Sequence, residues 1–595
     1  MMAQPVHYDQ NLYRFQVVDY AVFGSMLLLS AVTGLYFGCK SKIFKKTTEQ
    51  TLDEYLVGGR TMAPLPVAMS LIASYVSGVT MLGTPTDIYS FGSQYMLIVV
   101  AIFCSGLVIT FVYLPVFCKL RVNSSYEYLE MRFNRVVRTM ASSFFVLDEF
   151  MFLPIIIYVP SLAFNQVTGI NIYVIGTIVT LICIFYTFLG GLKAVVWTDT
   201  WQIIAMFIST LVVIILGTKA AGGVSQVFDT FIKGDRLILF DFNTSMYQRY
   251  TFFSVVIGGF TYWTSFNAVN QTMVQRYMAL PNLKQARISL LLFTFGVSLF
   301  VWICTYAGTL VYSKYETCDP LSSGRISSED QLLPLYVMET VGKLRGIPGL
   351  FIAGVFGAAL SSLSVVLNST AQVILEDIIK GCFRFKPTEK RGKFIVKTIV
   401  LALGGVALGF LFVIEHMGGV LQMATSFTSI AAGTSFGVFS LGMLVPWANN
   451  KGAISGALSG LLMSGTITYG SQYAGATNLV MAHKLPVSVD GCYSTYGLNV
   501  TYVEPVYPDE TNIFPLFRLS YLWITPIGVI TVLTVGAIVS LITGKNDVTK
   551  MDPDLISPVV HWSLPKKAFE NVGNAKELFY NRYKSNDNMV LRNLE

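Results

Sequence analysis

The sequence predicts an all-α polytopic membrane protein of about thirteen transmembrane helices, and three observations carry that reading. Of the 595 residues, 53% are hydrophobic and only 13% are charged, whereas a soluble globular chain carries about twice that charged share. The mean hydropathy is +0.59, and apolar runs of membrane-spanning length recur from residue 16 to residue 543. Basic residues, finally, gather in every second loop.

The first span, 16–38, follows the start "MMAQPVHYDQNLYRF", which lacks the basic flank and small-residue cleavage site of a signal peptide. It reads as an uncleaved helix with residues 1–15 outside the cell. Further runs bounded by polar or Pro/Gly-containing loops lie near 64–89, 94–117, 138–160, 170–189, 195–217 and 251–273. The series ends with 286–313, 347–379, 394–414, 418–446, 451–474 and 519–543. Residues 544–595 form the remaining tail.

The positive-inside rule tests the count. With the N-terminus outside, odd-numbered spans end in the cytoplasm. Those ends carry "CKSKIFKK" (39–46), "KLRV" with Arg132, Arg135 and Arg138, then Lys193, then "QRY" with Lys284 and Arg287. "KGCFRFKPTEKRGK" (380–393), Lys451 and the C-terminal tail continue the series, which places the C-terminus inside. The opposite loops hold "YETCDP" and "SVDGCYSTYGLNVTYVEPVYPDE". The net charge of +7 is thus a matter of topology, and no nucleic-acid partner is expected.

The sequons Asn243 (NTS) and Asn499 (NVT) fall in outer loops and are expected glycan acceptors. Asn123, Asn270 and Asn368 fall inside or within spans and are chance matches. Among the eight cysteines only Cys318 and Cys492 fall in outer loops, leaving open either a disulfide or two free thiols. There is no CxxC pair, HExxH or phosphate loop, and the four histidines are scattered. No enzyme is expected.

Two segments are unusual for a membrane interior. "SLIASYVSGVTMLGTPTDIYSFG" (70–92) is interrupted by Gly78, Gly83 and Pro85. A broken helix is tolerated there where it faces protein or a cavity, and its freed carbonyls can coordinate a cation. "GAALSSLSVVLNST" (357–370) sits in a stretch without charge from Arg345 to Glu376, yet carries Ser361, Ser362, Ser364, Asn368, Ser369 and Thr370. Sodium prefers oxygen ligands, and a neutral set binds it weakly enough to release it. Serines that merely hydrogen-bond backbone carbonyls at a helix contact would look the same.

The chain resembles the sodium/solute symporters over residues 16 to about 545. "GGLKAVVWTDTWQ" (190–202) and "LVPWANNKGAISGALSG" (444–460) are similar to that family's signatures. "ASYVSGVTMLGTPTDIYSFG", "NQVTG" (165–169), "NQTMVQRYM" (270–278) and "GGVLQ" (418–422) resemble its monocarboxylate, multivitamin and iodide branch. The resemblance implies a five-plus-five inverted repeat of the LeuT-like kind, spans two to six and seven to eleven. The domains would be an extracellular N-terminus (1–15), a peripheral helix (16–38) and a ten-helix core (64–446). Two peripheral helices with a glycosylated outer loop (451–543) and a cytoplasmic tail (544–595) complete them.

It further implies a principal sodium site made by backbone oxygens of Ala73, Val76 and Ala358 and the hydroxyls of Ser361 and Ser362. A second ion site or ion path would use Asp199 and Ser364, although Val365 stands where several two-sodium members have a hydroxyl. Substrate would lie beside the breaks of spans two and seven, near Thr80, Phe103, Tyr262, Trp263, Gln422 and Thr425. The implied activity is sodium-coupled symport of a small organic solute across the plasma membrane, with a monocarboxylate or vitamin-like acid foremost. A halide, sugar or other neutral metabolite, or a non-transporting sodium-dependent sensor, are the alternatives.

One feature departs from the branch. "FVLDEFMFLP" (145–154) puts Asp148 and Glu149 about ten residues, roughly 15 Å, into span four. Carboxylates so placed must be paired, wetted or protonated, and would repel an anion. A shifted span would instead bring both toward cytoplasmic water.

Overall fold

A computed structural model describes residues 15–43, 52–414 and 420–571, and the side chains of 38–43, 53, 79, 413–427, 570 and 571 are not described. The expected N-terminal segment therefore lies outside the described residues, except for its last residue. Among the described residues there is no strand, and helix occupies each of the thirteen expected spans.

Eight helices are each long and apolar enough to cross a membrane, among the described residues; a bent pair, Pro64–Tyr75 with Thr80–Phe91, makes a ninth. This count is lower than thirteen for physical reasons. Ile172–Ala220 is one helix of 49 residues by its hydrogen bonds but turns at Gly191 (φ 59, ψ −155), so it carries spans five and six. The seventh is cut by a break, and Asn450–Ala476 is rich in glycine, serine and threonine.

Asparagine sets many of the helix starts. Side chains of Asn134, Asn171, Asn270, Asn282 and Asn449 accept from backbone N–H groups two or three residues on. Each satisfies a donor that the first turn leaves orphaned. Asn270, a chance sequon, is therefore a cap inside the protein.

Spans two and seven are both broken. Pro64–Tyr75 ends where Val76 turns extended (φ −78, ψ 101), and the second half, Gly78–Phe91, starts after Ser77 (φ −97, ψ 172). The two pieces of span two meet at 54°. In span seven, Gly259–Val269 and Gln271–Met278 are separated by Asn270 (φ −62, ψ 134).

The ninth span, Ile347–Cys382, is 94% buried across its most apolar stretch, against 28–61% for the other seven helices of this length. It is the central helix, which explains how it can carry hydroxyls that lipid would not tolerate. Loops collect in two sets. Arg236 donates to the carbonyl of Tyr89, and Leu485 N to that of Ser90. At the other set, Tyr128 donates to Leu555 O, and Ser557 Oγ to Val112 O, so the tail is strapped onto the helix ends.

Candidate functional site

The break in span two faces the serines of the central helix. Ser361 Oγ donates to the carbonyls of Ala73 (2.7 Å) and Ala358 (2.9 Å), and Ser362 Oγ donates to Ala358 O at 3.0 Å. Both serines are buried. Val76, at extended ψ, directs its carbonyl out of the helix ladder. Four oxygens from two spans thus meet, all neutral. A hydroxyl can turn its proton aside and offer a lone pair, so the donor set fits a hard monovalent cation. No group of three or more His, Cys, Asp or Glu side chains suited to a metal exists among the described residues.

A cavity of about 140 Å³ adjoins these oxygens. Ser362, Val365 and Val366 form one wall; Tyr75, Ser77 and Thr80 come from the break in span two. Tyr262, Phe266 and Thr272 come from span seven, and Thr428 from span eleven. The size is on the scale of a cavity that admits benzene.

Two of the expected solute residues, Thr80 and Tyr262, line this space. Trp263 is buried behind it, stacked on Tyr75 with ring centroids 3.8 Å apart. Phe103 is a correction: it is 42% exposed on the outward face of its helix, while Ala101 and Ile102 are buried. The span is apolar all round, so its inward face cannot be read from hydrophobicity. Gln422 and Thr425 lie outside the residues whose side chains are described.

Asp199 is fully buried. Its Oδ2 accepts from Ser70 Oγ at 2.5 Å, Arg276 Nε donates to the same hydroxyl at 2.8 Å, and Arg276 Nη2 stands 3.7 Å from Oδ2. Its Oδ1 is buried without a hydrogen-bond partner. Ser364 donates instead to Ser361 O at 3.0 Å, so no bond joins the two residues of the expected second ion site.

Asp148 and Glu149 both line the cavity and are 7% and 4% exposed. The register that would bring them to cytoplasmic water is not the one adopted. Sequence reasoning missed two ionic latches on either side. Arg249 pairs with Asp87 (3.1 Å), whose other oxygen accepts from Tyr250 at 2.9 Å. Arg138 Nε pairs with Asp377 (2.6 Å), which also accepts from Ser124 at 2.5 Å. Their signal was available: Asp87 and Asp377 are carboxylates in apolar spans, which require partners.

Outside the spans, a vestibule of about 530 Å³ is lined by Tyr89, Asp319, Glu329 and Lys484. Burial, then the charges of Glu329 and Asp87, push neighbouring Asp330 up to about 6. Cys318 and Cys492, beside this vestibule, are joined in a disulfide. Asn243 and Asn499 are exposed on loops.

Comparison with known proteins agrees with this architecture. The model of the sodium:solute symporter family matches residues 55–460. Human sodium-coupled monocarboxylate transporter 2 is 36% identical over 559 residues, 93% of this chain and 89% of that protein. Human sodium-coupled monocarboxylate transporter 1 is 36% identical over 556 residues, 91% and 90% of the respective chains. A sodium-coupled sialic acid symporter, solved substrate-bound and outward-open, shares the fold: TM-score 0.71, 24% identity, 89% of this chain and 99% of that one. The chain therefore belongs to the sodium:solute symporter family and is a multi-pass, sodium-coupled symporter of a small organic solute rather than an enzyme.

Proposed function

We propose that the protein imports a small organic acid with sodium across the plasma membrane, its N-terminus outside and its C-terminus in the cytoplasm. The ten-helix core (64–446) carries the transport path. Residues 16–38 and 451–543 are peripheral helices, the latter pair with a glycosylated outer loop. Sodium is held by the carbonyls of Ala73, Val76 and Ala358 and the hydroxyls of Ser361 and Ser362. The solute occupies the cavity beside Thr80 and Tyr262, and Gln422 and Thr425 remain candidate solute contacts. Asp199 lies on the ion path or at a second ion site, and Ser364 serves the same role.

One observation carries this reading: Ser361 bridges carbonyls of two spans beside a cavity that Ser362 lines. Ion and solute then share a wall, so each stabilises the arrangement the other needs, which is coupling in its simplest form. The Asp87–Arg249 and Arg138–Asp377 latches suit alternating access. A monocarboxylate or vitamin-like acid is the solute class favoured by the relatives, which are sodium-coupled monocarboxylate transporters.

Uptake of radiolabelled solutes by cells expressing the protein tests this reading, with sodium replaced by potassium as the control. Saturable uptake that requires sodium is expected. Uptake indifferent to sodium would refute it.

A further inference from the structure

The cavity is lined by two buried carboxyl groups that symport of a simple anion does not explain. Asp148 and Glu149 are both more than nine-tenths buried, and both line it. Asn270 faces Glu149, its Oδ1 held by Thr272. The Thr428 hydroxyl faces Asp148, yet Asp148 Oδ1 is buried with no partner. Among the described residues no Lys, Arg or His lines the cavity. Arg276, in the second half of span seven, is turned to Asp199 and Ser70.

Four aromatic rings share the wall with hydroxyls and two valines. Phe152 is on the carboxylates' own helix; Tyr262 and Phe266 are on span seven, and Tyr75 is at the break in span two. Ring faces attract a cation, and more strongly where water is excluded. A buried carboxylate oxygen without a partner is costly, and a donor or cation that meets it recovers that cost. A lone anionic solute would find hydroxyl donors but no cationic side chain in this wall, and the acidic pair and the ring faces disfavour it.

We propose that the transported solute carries a protonated ammonium group, seated at Asp148 and Glu149 against the aromatic wall. This rests on the cavity being the solute site. A carboxylic acid is then admitted as a zwitterion, its amine meeting the acidic pair. The shared chemistry is the ammonium group, whether or not a carboxylate accompanies it.

A four-carbon series tests charge at nearly constant shape: butylammonium, γ-aminobutyrate, butanol and butyrate. Sodium-dependent currents, and competition between the solutes, are measured in cells expressing the full chain. Butylammonium or γ-aminobutyrate should act at concentrations at least about tenfold lower than butanol and butyrate. The better of the two tells whether a carboxylate belongs to the solute. Asp148→Asn with Glu149→Gln should abolish that preference, with surface biotinylation confirming delivery and Asp148→Asn alone as a milder variant.

Butyrate or butanol acting as well as the better of butylammonium and γ-aminobutyrate in the wild type overturns the proposal, whatever the variants do. If all four are silent, the decision passes to the solute found by the uptake panel. A solute without a cationic group overturns the proposal. Uptake left intact by Thr80→Trp, which fills the cavity, removes the cavity as solute site and the proposal with it.

Discussion

Ser361 Oγ lies 2.7 Å from the carbonyl oxygen of Ala73, 288 residues earlier in the chain. The bond joins the central helix to the end of a half-helix, so local order at the break depends on it. Replacing Ser361 and Ser362 together with alanine removes two hydroxyl ligands without adding bulk. Sodium affinity should fall tenfold or more, each lost ligand costing about 1–3 kcal/mol. Sodium titration of transport currents checks this; an unchanged half-maximal sodium concentration would exclude the serines as ligands.

Arg276 and Asp199 form a buried ionic contact through Ser70. Removing one partner of such a pair costs about 3–5 kcal/mol, because the other charge is stranded. Arg276→Gln should lower the thermal midpoint of the detergent-solubilised protein markedly. Combining it with Asp199→Asn should recover part of the loss. If the double variant is the least stable of the three, charge stranding is not the cause.

Asn499 and Cys492 of the disulfide lie on one loop, which the proposed topology puts outside. Asn499→Gln should remove glycan mass on a gel, and Asn243→Gln should remove another increment. Thiols at 318 and 492 should resist maleimide until reduction. A C-terminal epitope tag should stain only after permeabilisation; staining of intact cells would reverse the topology.

Asp330, next to Glu329 at the vestibule, makes the stability of the fold depend on pH. Its pKa rises from 3.8 to about 6 in the folded chain. Between those values the folded state holds a proton that the unfolded state has released, so stability falls as pH rises through the window. The penalty persists above it. Asp330→Asn should therefore raise the thermal midpoint at pH 7.5 and have little effect near pH 4. Equal gains at both values would point to packing instead.

Much of this was legible in the sequence. Apolar runs placed the helical segments, because lipid enforces their length strongly. Gly78 marked the break in span two, and clustered serines marked a helix shielded from lipid. The inward face of Phe103's span was not legible, since every face there is apolar. The partners of Asp87 and Asp377 were not legible either: Arg249 and Arg138 lie far off in sequence, and only the folded chain brings them together.

Gly191 has a consequence for how the gene can vary. Its backbone (φ 59, ψ −155) lies in a region essentially closed to other residues. A β-carbon there would stand 2.7 Å from both the ring and the carbonyl oxygen of Tyr55. Every single-base missense change of a glycine codon introduces a β-carbon. A saturating mutational scan should therefore find this codon intolerant of every amino-acid replacement, alanine included, so that only synonymous change passes there between generations.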